Sequence, residues 1–173
     1  ECVVVESELL VESMTKKRVY IETTIPSFYF EERTQPRFVA QREWTRAWWD
    51  ERRQLYELMT SSAVLDELAG GDHPHKQKKI LLLSDVVAVQ ITEAMLDVAK
   101  VYIQEKLMPK DLYGDALHLA VASQERCHFL LTWNCRHLAN ANKIEHIRHV
   151  NTMLGLTIPI ITTPFSLLER EIE

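Results

Sequence analysis

The sequence has few of the residues that mark secreted, zinc-binding or membrane-spanning proteins. It contains 3 cysteines, and Cys2, Cys127 and Cys135 form no C-x-x-C pair. This argues against a disulfide-stabilised secreted scaffold and against a structural zinc site, so we expect a reducing, cytoplasmic environment. No apolar run approaches the roughly 20 residues that a membrane-spanning helix needs, so we expect no membrane partner.

Glycine and proline are scarce as well. The 4 glycines and 6 prolines among 173 residues leave most of the chain free to form helices and strands. Hydrophobic residues make up 46% of the chain, which is enough to build a substantial core. Because long helical patterns alternate with short runs rich in Val, Ile and Leu, we predict an α/β fold around a central, mainly parallel sheet.

The chain also lacks an excess of positive charge. It has 20 Lys and Arg residues against 25 Asp and Glu, which gives a formal net charge of −5. Because binding to nucleic acid usually depends on Lys and Arg, this balance argues against a protein that coats RNA or DNA. It does not argue against a nuclease with a local basic rim. The best candidates for such a rim lie on one predicted helix: Arg42, Arg46, Arg52 and Arg53.

The start of the chain differs from the rest. Residues 1–13 lack the basic start and the long apolar core of a signal peptide, and Met14 stands just ahead of the first predicted strand. We therefore interpret residues 1–13 as an accessory or upstream segment. Residues 14–173 show no repeat, linker or low-complexity tract, so we predict that they form a single domain.

Hydrophobic runs and capping residues give the order of the elements. We predict strands at residues 19–21, 56–60, 86–91, 129–132 and 158–161. We predict helices at residues 25–30, 37–55, 63–69, 75–83, 93–107, 112–124 and 143–154, and a last helical turn from Pro164. Ser61 or Ser62, Thr92 and Asp111 are the expected N-caps.

Acidic and amide side chains stand where such a fold can gather them. Glu22 and Asn134 each follow a predicted buried strand, Asp115 lies in the first turn of a helix, and Glu67 lies beside an apolar helix stripe. Ligands of parallel sheets collect beyond the carboxyl ends of the strands. Clustered carboxylates repel one another unless a cation joins them, and Mg²⁺ or Mn²⁺ prefers oxygen ligands. This pattern predicts a divalent-metal site that activates water against a phosphodiester.

Several segments together resemble the PIN-domain proteins, and more narrowly the VapC group of toxin ribonucleases from bacterial toxin–antitoxin pairs. The segments that carry the resemblance are 20–27, 62–71, 115–120, 130–134 and 159–164. The resemblance implies an α/β/α sandwich, a Mg²⁺- or Mn²⁺-dependent endoribonuclease that hydrolyses RNA, frequent homodimers and neutralisation by a cognate antitoxin protein.

The resemblance also implies roles for particular residues. The acidic positions of the family fall on Glu22, Glu67 and Asp115, which would bind the metal. Asn134 falls where the family often has Asp and would assist, and Thr132 would position water or phosphate. An amide can ligate a metal but lacks the charge of a carboxylate. Two alternatives therefore stay open: a catalytically weak PIN-fold module that binds RNA or protein, and a hydrolase of another phosphoester such as a DNA flap.

Other candidate residues have simpler interpretations. We expect His118 and His137 to be partly buried, hydrogen-bonded histidines, and the neighbouring pair His146 and His149 to be solvated. The aromatic cluster of Trp44, Trp48 and Trp49 is expected to be core or a dimer surface, and base stacking is the alternative.

Overall fold

A computed structural model describes residues 16–108, 110, 113–134 and 141–169. The strands are β1 (Arg18–Ile21), β2 (Glu57–Ser61), β3 (Val87–Val89), β4 (Phe129–Leu131) and β5 (Ile160–Thr162). The helices are α1 (Thr24–Tyr29), α2 (Pro36–Glu51), α3 (Ser62–Ala69), α4 (Lys76–Leu82), α5 (Glu93–Gln104), α6 (Asp115–Gln124), α7 (Ala141–Leu154) and α8 (Pro164–Leu168).

The described strands form one five-stranded sheet in the order β3-β2-β1-β4-β5, and every neighbouring pair is parallel. Residues 19–21 of β1 and 129–131 of β4 are apolar because both faces of a parallel sheet are covered by helices. Tyr20 in β1 and Leu130 in β4 are fully buried, whereas Val87 and Ile160 at the two edges are exposed. Helix α5 packs on α6, and α2 packs on α1 and α8. The prediction of an α/β/α sandwich with a mainly parallel sheet is confirmed.

Capping side chains fix several helix starts where the sequence predicts them. The Ser61 hydroxyl accepts a hydrogen bond from the Val64 amide, and the Thr92 hydroxyl accepts one from the Met95 amide. Helix α6 begins at Asp115, three residues later than predicted, because Tyr113 and Gly114 form a turn. The predicted N-cap Asp111 and the segment 1–13 lie outside the described residues.

Other boundaries shift by a few residues. The predicted helix 37–55 ends at Glu51, and a 3₁₀ turn, Arg53–Leu55, follows it. Helix α7 ends before Gly155, whose φ of +66° suits a residue without a side chain. Among the described residues, the helices are too short or too polar to cross a membrane.

A buried polar network joins the helices on one side of the sheet. Asn151 of α7 is fully buried, and its Oδ1 accepts a hydrogen bond of 2.6 Å from the Tyr102 hydroxyl of α5. Its Nδ2 donates to the Ser123 hydroxyl of α6 at 2.9 Å and to the Thr157 carbonyl at 2.8 Å. One amide on α7 therefore satisfies polar groups from two other helices and from the segment before β5.

Cys127 is a buried free thiol just before β4. Burial raises the pKa of Cys127 to about 12, so the reactive thiolate is almost absent at neutral pH. We expect maleimide to label Cys127 in the native protein far more slowly than in the denatured protein. Mass spectrometry of the peptide that carries Cys127 measures this. Equal labelling rates in the two states would contradict the burial of the thiol.

Candidate functional site

The candidate site lies at the carboxyl ends of the three inner strands. Glu22 follows β1, Ser61 ends β2, and Thr132 follows β4. The register places Ile21 opposite Leu131, and the Glu22 amide donates to the Leu131 carbonyl. Residues separated by more than a hundred positions in the sequence therefore meet at one edge of the sheet. This is the position at which parallel sheets bind ligands.

Glu22 is the most buried carboxylate of this crevice, with 4% of its surface exposed. Its Oε2 accepts hydrogen bonds from the Thr24 amide at 3.1 Å, the Thr24 hydroxyl at 2.6 Å and the Thr132 hydroxyl at 2.9 Å. Burial raises the pKa of Glu22, although nearby His118 and these hydrogen bonds act in the opposite direction. Glu22 is therefore a rigidly held carboxylate whose negative charge lacks sufficient compensation.

His118 supplies a proton-binding group at the centre of the crevice. It is buried, its Nδ1 lies 2.9 Å from the Tyr20 hydroxyl, and its Nε2 lies 3.3 Å from Oε2 of Glu67. Burial lowers the pKa of His118, but the hydrogen bond to Glu67 and the charges of Glu22 and Glu67 outweigh burial and raise it. The expectation of a buried, hydrogen-bonded histidine agrees with this geometry.

Glu67 is the most accessible of the acidic site residues. It lies on α3, its side chain is 45% exposed, and it accepts hydrogen bonds from the Thr23 hydroxyl and from His118. Burial acts to raise the pKa of Glu67, but the hydrogen bonds from His118 and Thr23 outweigh it and lower the pKa. Glu67 therefore carries its charge toward the opening of the crevice.

Asp115 and Asn134 form a direct pair. The Asn134 Nδ2 lies 2.9 Å from each carboxylate oxygen of Asp115. The Asn134 backbone amide donates to the Thr132 hydroxyl at 2.9 Å, and that hydroxyl donates to Glu22. The position of Asp115 at the first turn of α6 also suits a negative charge. Thr132 thus connects the Asn134–Asp115 pair to the buried carboxylate.

Hydrogen bonds connect four of the five site residues predicted from the sequence, and the fifth, Glu67, contacts Thr23 and His118. Thr132 joins Glu22 to Asn134, and Asn134 binds Asp115. The negative charges of all three carboxylates act to raise the pKa of His118. The donors are oxygens of the kind that Mg²⁺ and Mn²⁺ prefer, and the uncompensated charge of buried Glu22 suits a cation. By its chemistry, this donor set fits the ion that the resemblance implies.

Within the described residues, however, no three His, Cys, Asp or Glu side chains stand together as a group that could hold a metal ion. Glu67 turns to Thr23 and His118, and the carboxylate of Asp115 faces the amide of Asn134. A bound ion would have to exchange some of these hydrogen bonds for its own contacts. Glu67, half-exposed, is the carboxylate with the most freedom to do so.

Sequence reasoning missed the hydroxyl groups that hold the charged residues. The Tyr20 hydroxyl of β1 forms hydrogen bonds with Ser61 Oγ at 2.8 Å and with His118 Nδ1 at 2.9 Å. Thr23 and Thr24 bind Glu67 and Glu22. The signal that could have found Thr24 is its place two residues after Glu22, where a local side-chain contact is common.

The remaining candidates lie away from this network or outside the described residues. His146 is half-buried and His149 is exposed on α7, one turn apart. His137 falls in the segment 135–140, outside the described residues. Trp48 and Trp49 are core residues, as expected, whereas Trp44 is only partly buried.

No protein-family model matches the chain. No curated protein matches it in sequence either. Among solved structures, the chain is similar to the crystal structure of VapBC2 from Rickettsia felis bound to a DNA fragment from their promoter. The two chains share 15% sequence identity with a TM-score of 0.47, and the alignment covers 84% of this chain and 98% of the other.

Proposed function

We propose that this protein is a metal-dependent endoribonuclease that hydrolyses RNA phosphodiester bonds. The observation that carries the proposal is the buried carboxylate of Glu22 at the carboxyl end of the central strand, which hydrogen bonds connect through Thr132 and Asn134 to Asp115. Burial raises the pKa of Glu22, so a cation beside it would relieve an electrostatic cost. A site with these carboxylates is suited to bind a divalent ion and a phosphate together.

We assign different roles to the residues of the crevice. Glu22, Glu67 and Asp115 would hold Mg²⁺ or Mn²⁺, which when bound polarises the phosphate and lowers the pKa of a water ligand. Thr132 fixes one oxygen of Glu22, and Asn134 orients Asp115. The Asn134 amide and the Thr132 hydroxyl are also neutral groups beside these carboxylates, and they would hold water or phosphate by hydrogen bonding.

Incubation of the purified full chain with end-labelled RNA tests this proposal. We expect cleavage with added Mn²⁺ or Mg²⁺ and none with excess chelator. Single-stranded DNA and a DNA flap of matched length, tested in parallel, separate a ribonuclease from a hydrolase of another phosphoester. Cleavage that persists in chelator, or no cleavage over a broad RNA panel, would overturn the proposal.

A second candidate is a catalytically weak module that binds RNA or a protein. One observation favours it: both oxygens of Asp115 face the Asn134 amide, which occupies a position that is often acidic in the family the sequence resembles. Such a module would bind RNA in chelator as well as in metal and would leave it intact. A homodimer, a cognate antitoxin protein as partner and a cytoplasmic location are further proposals that follow from the first candidate.

Asn134→Asp tests what the amide does in the crevice. We expect Mn²⁺ to bind on the order of tenfold more tightly, because the variant adds a carboxylate to the donor set. In chelator the variant should melt at a lower temperature than the parent, because its new charge faces Asp115 without a cation between them. Isothermal titration calorimetry and thermal unfolding with and without Mn²⁺ measure the two effects.

Gln77→Glu is the matched control for this change, since it adds one negative charge at an exposed position of α4. It should leave both Mn²⁺ affinity and melting temperature close to those of the parent. Unchanged Mn²⁺ affinity in Asn134→Asp would contradict the placement of residue 134 beside the metal.

A further inference from the structure

A groove lined by aromatic rings opens beside the candidate site. We define this aromatic groove by Phe28 of α1, Arg37, Phe38 and Trp44 of α2, and Trp133 of the segment after β4. Its volume is about 490 Å³, within the range of cavities that hold small organic groups. Phe28, Trp44 and Trp133 are partly exposed, so the groove presents ring surface to solvent.

The rings of the groove contact one another in a row, in which one pair is stacked and the others are tilted. The ring centroids of Trp44 and Trp133 lie 6.2 Å apart at an interplanar angle of 26°. Phe28 lies 6.0 Å from Trp133 and 6.4 Å from Phe38. Rings that are half-covered and held by one another offer a preformed flat surface for another planar group, since little freedom is lost on binding.

Two hydrogen bonds fix the orientation of Trp133 and connect it to the candidate site. Its ring Nε1 donates to the Thr45 hydroxyl at 2.8 Å, which favours this orientation of the ring. Its backbone amide donates to the Thr24 hydroxyl at 2.8 Å, and the same hydroxyl donates to Glu22. The groove and the buried carboxylate therefore share Thr24, and a ligand held in the groove lies next to the crevice.

The groove also carries positive charge at its rim. The Arg37 guanidinium lies 4.3 Å from the centre of the Phe38 ring, its residue is exposed, and it makes no ion pair within the described residues. Arg33 lies over the same ring at 3.5 Å but is paired with Glu31. Arg37 is thus the cation of this rim that is available to a phosphate.

We propose that the aromatic groove binds an unpaired base of the RNA substrate, with a flanking phosphate against Arg37. This proposal deepens the proposed function: it rests on RNA being the substrate and adds that the RNA must be single-stranded near the cleaved bond. Aromatic rings stack on any base and arginine binds the backbone, which is the combination found in binding of single strands. Bases in a duplex are already stacked and paired and cannot enter.

Binding measured in excess chelator tests the groove separately from cleavage. Fluorescence anisotropy of a labelled oligonucleotide compares single-stranded RNA, the same RNA in a duplex, and a strand of equal length with abasic sites. We expect the duplex and the abasic strand to bind about tenfold more weakly. Trp44→Ala and Arg37→Ala should each weaken binding of the single strand by a similar factor, whereas the abasic strand should be insensitive to Trp44→Ala.

Arg148→Ala, which removes an exposed arginine of α7 outside the groove, is the control and should bind like the parent. Because Arg37 is exposed, Arg37→Ala should leave the fold intact. It therefore tests the groove even if Trp44→Ala unfolds. Equal affinity for single-stranded and double-stranded RNA, or unchanged RNA affinity in both groove variants, would overturn the proposal. A protein partner would then be the better candidate for the groove. If the groove variants weaken RNA binding but the protein cleaves no RNA in the presence of metal, only the proposed nuclease activity is overturned. If the protein cleaves RNA and the groove variants bind it like the parent, only the proposed role of the groove is overturned.

Discussion

Asp115→Asn is expected to reduce metal-dependent RNA cleavage by at least about a hundredfold. The change keeps the shape of the side chain but removes one of the charges that would hold the cation. Loss of about 3 kcal/mol of transition-state stabilisation, a modest part of what a metal ion supplies, corresponds to about a hundredfold in rate. Initial cleavage rates at saturating Mn²⁺ measure the effect.

The control for this change is Asp97→Asn on the neighbouring helix α5. Asp97 is exposed and pairs only with Lys100 among the described residues, so its charge is solvated. The Asp97→Asn variant should cleave RNA at the rate of the parent protein. Thermal unfolding of both variants excludes loss of fold as a cause. Unchanged cleavage by a folded Asp115→Asn variant would remove Asp115 from the site and with it the proposed assignment of the carboxylates.

Asn151→Ala is expected to destabilise the protein by about 3 kcal/mol. The change leaves the buried hydroxyls of Tyr102 and Ser123, and the carbonyl of the exposed residue Thr157, without their shared partner. Each buried polar group left unsatisfied costs about 1–3 kcal/mol. The Tyr102 hydroxyl already lies 3.3 Å from the Ser123 hydroxyl, and this contact offsets part of the loss. For a chain of this size we expect the melting temperature to fall by about 6–12 °C.

Two variants bracket this result. Thr152→Ala changes the next, exposed residue of α7 and should alter stability by less than about 0.5 kcal/mol. Tyr102→Phe leaves Asn151 with two of its hydrogen bonds and should cost about 1 kcal/mol. If urea unfolding gave Asn151→Ala the stability of Thr152→Ala, the network would contribute nothing to the fold.

The order of the strands and helices could be predicted from the sequence because local patterns encode it. The runs around Tyr20 and Leu130 are apolar on both faces, which only central parallel strands require. Boundaries were less accurate where no local residue sets them, as at the end of α2, where a 3₁₀ turn replaces the predicted last helical turns. Helix α6 begins at Asp115, after a turn at Tyr113 and Gly114 that the prediction placed inside the helix.

The acidic residues of the candidate site could be predicted from the sequence, but the hydrogen bonds that connect them could not. Glu22, Glu67 and Asp115 stand out because carboxylates beside apolar segments are unusual. The contacts of the Tyr20 hydroxyl with Ser61 and His118 depend on how β1, β2 and α6 pack, and no local pattern specifies a hydroxyl contact across 98 residues. The aromatic groove was missed for the same reason, because Trp133 reaches α2 only in the folded chain.

The pairing of β1 has a consequence for how the protein emerges from the ribosome. Tyr20 pairs with Met59 on one side and with Leu130 on the other, so the central strand lacks one neighbour until the chain has grown past β4. At a translation rate of about 5–20 residues per second, the 110 residues that separate Glu22 from Thr132 take roughly 5–20 s to synthesise. Glu22 is present in the nascent chain throughout that time, but Asp115, Thr132 and Asn134 are not yet in place beside it. Under the proposed function, a chain assembled in this order cannot cut the message or the ribosome that produces it until most of the chain has been made.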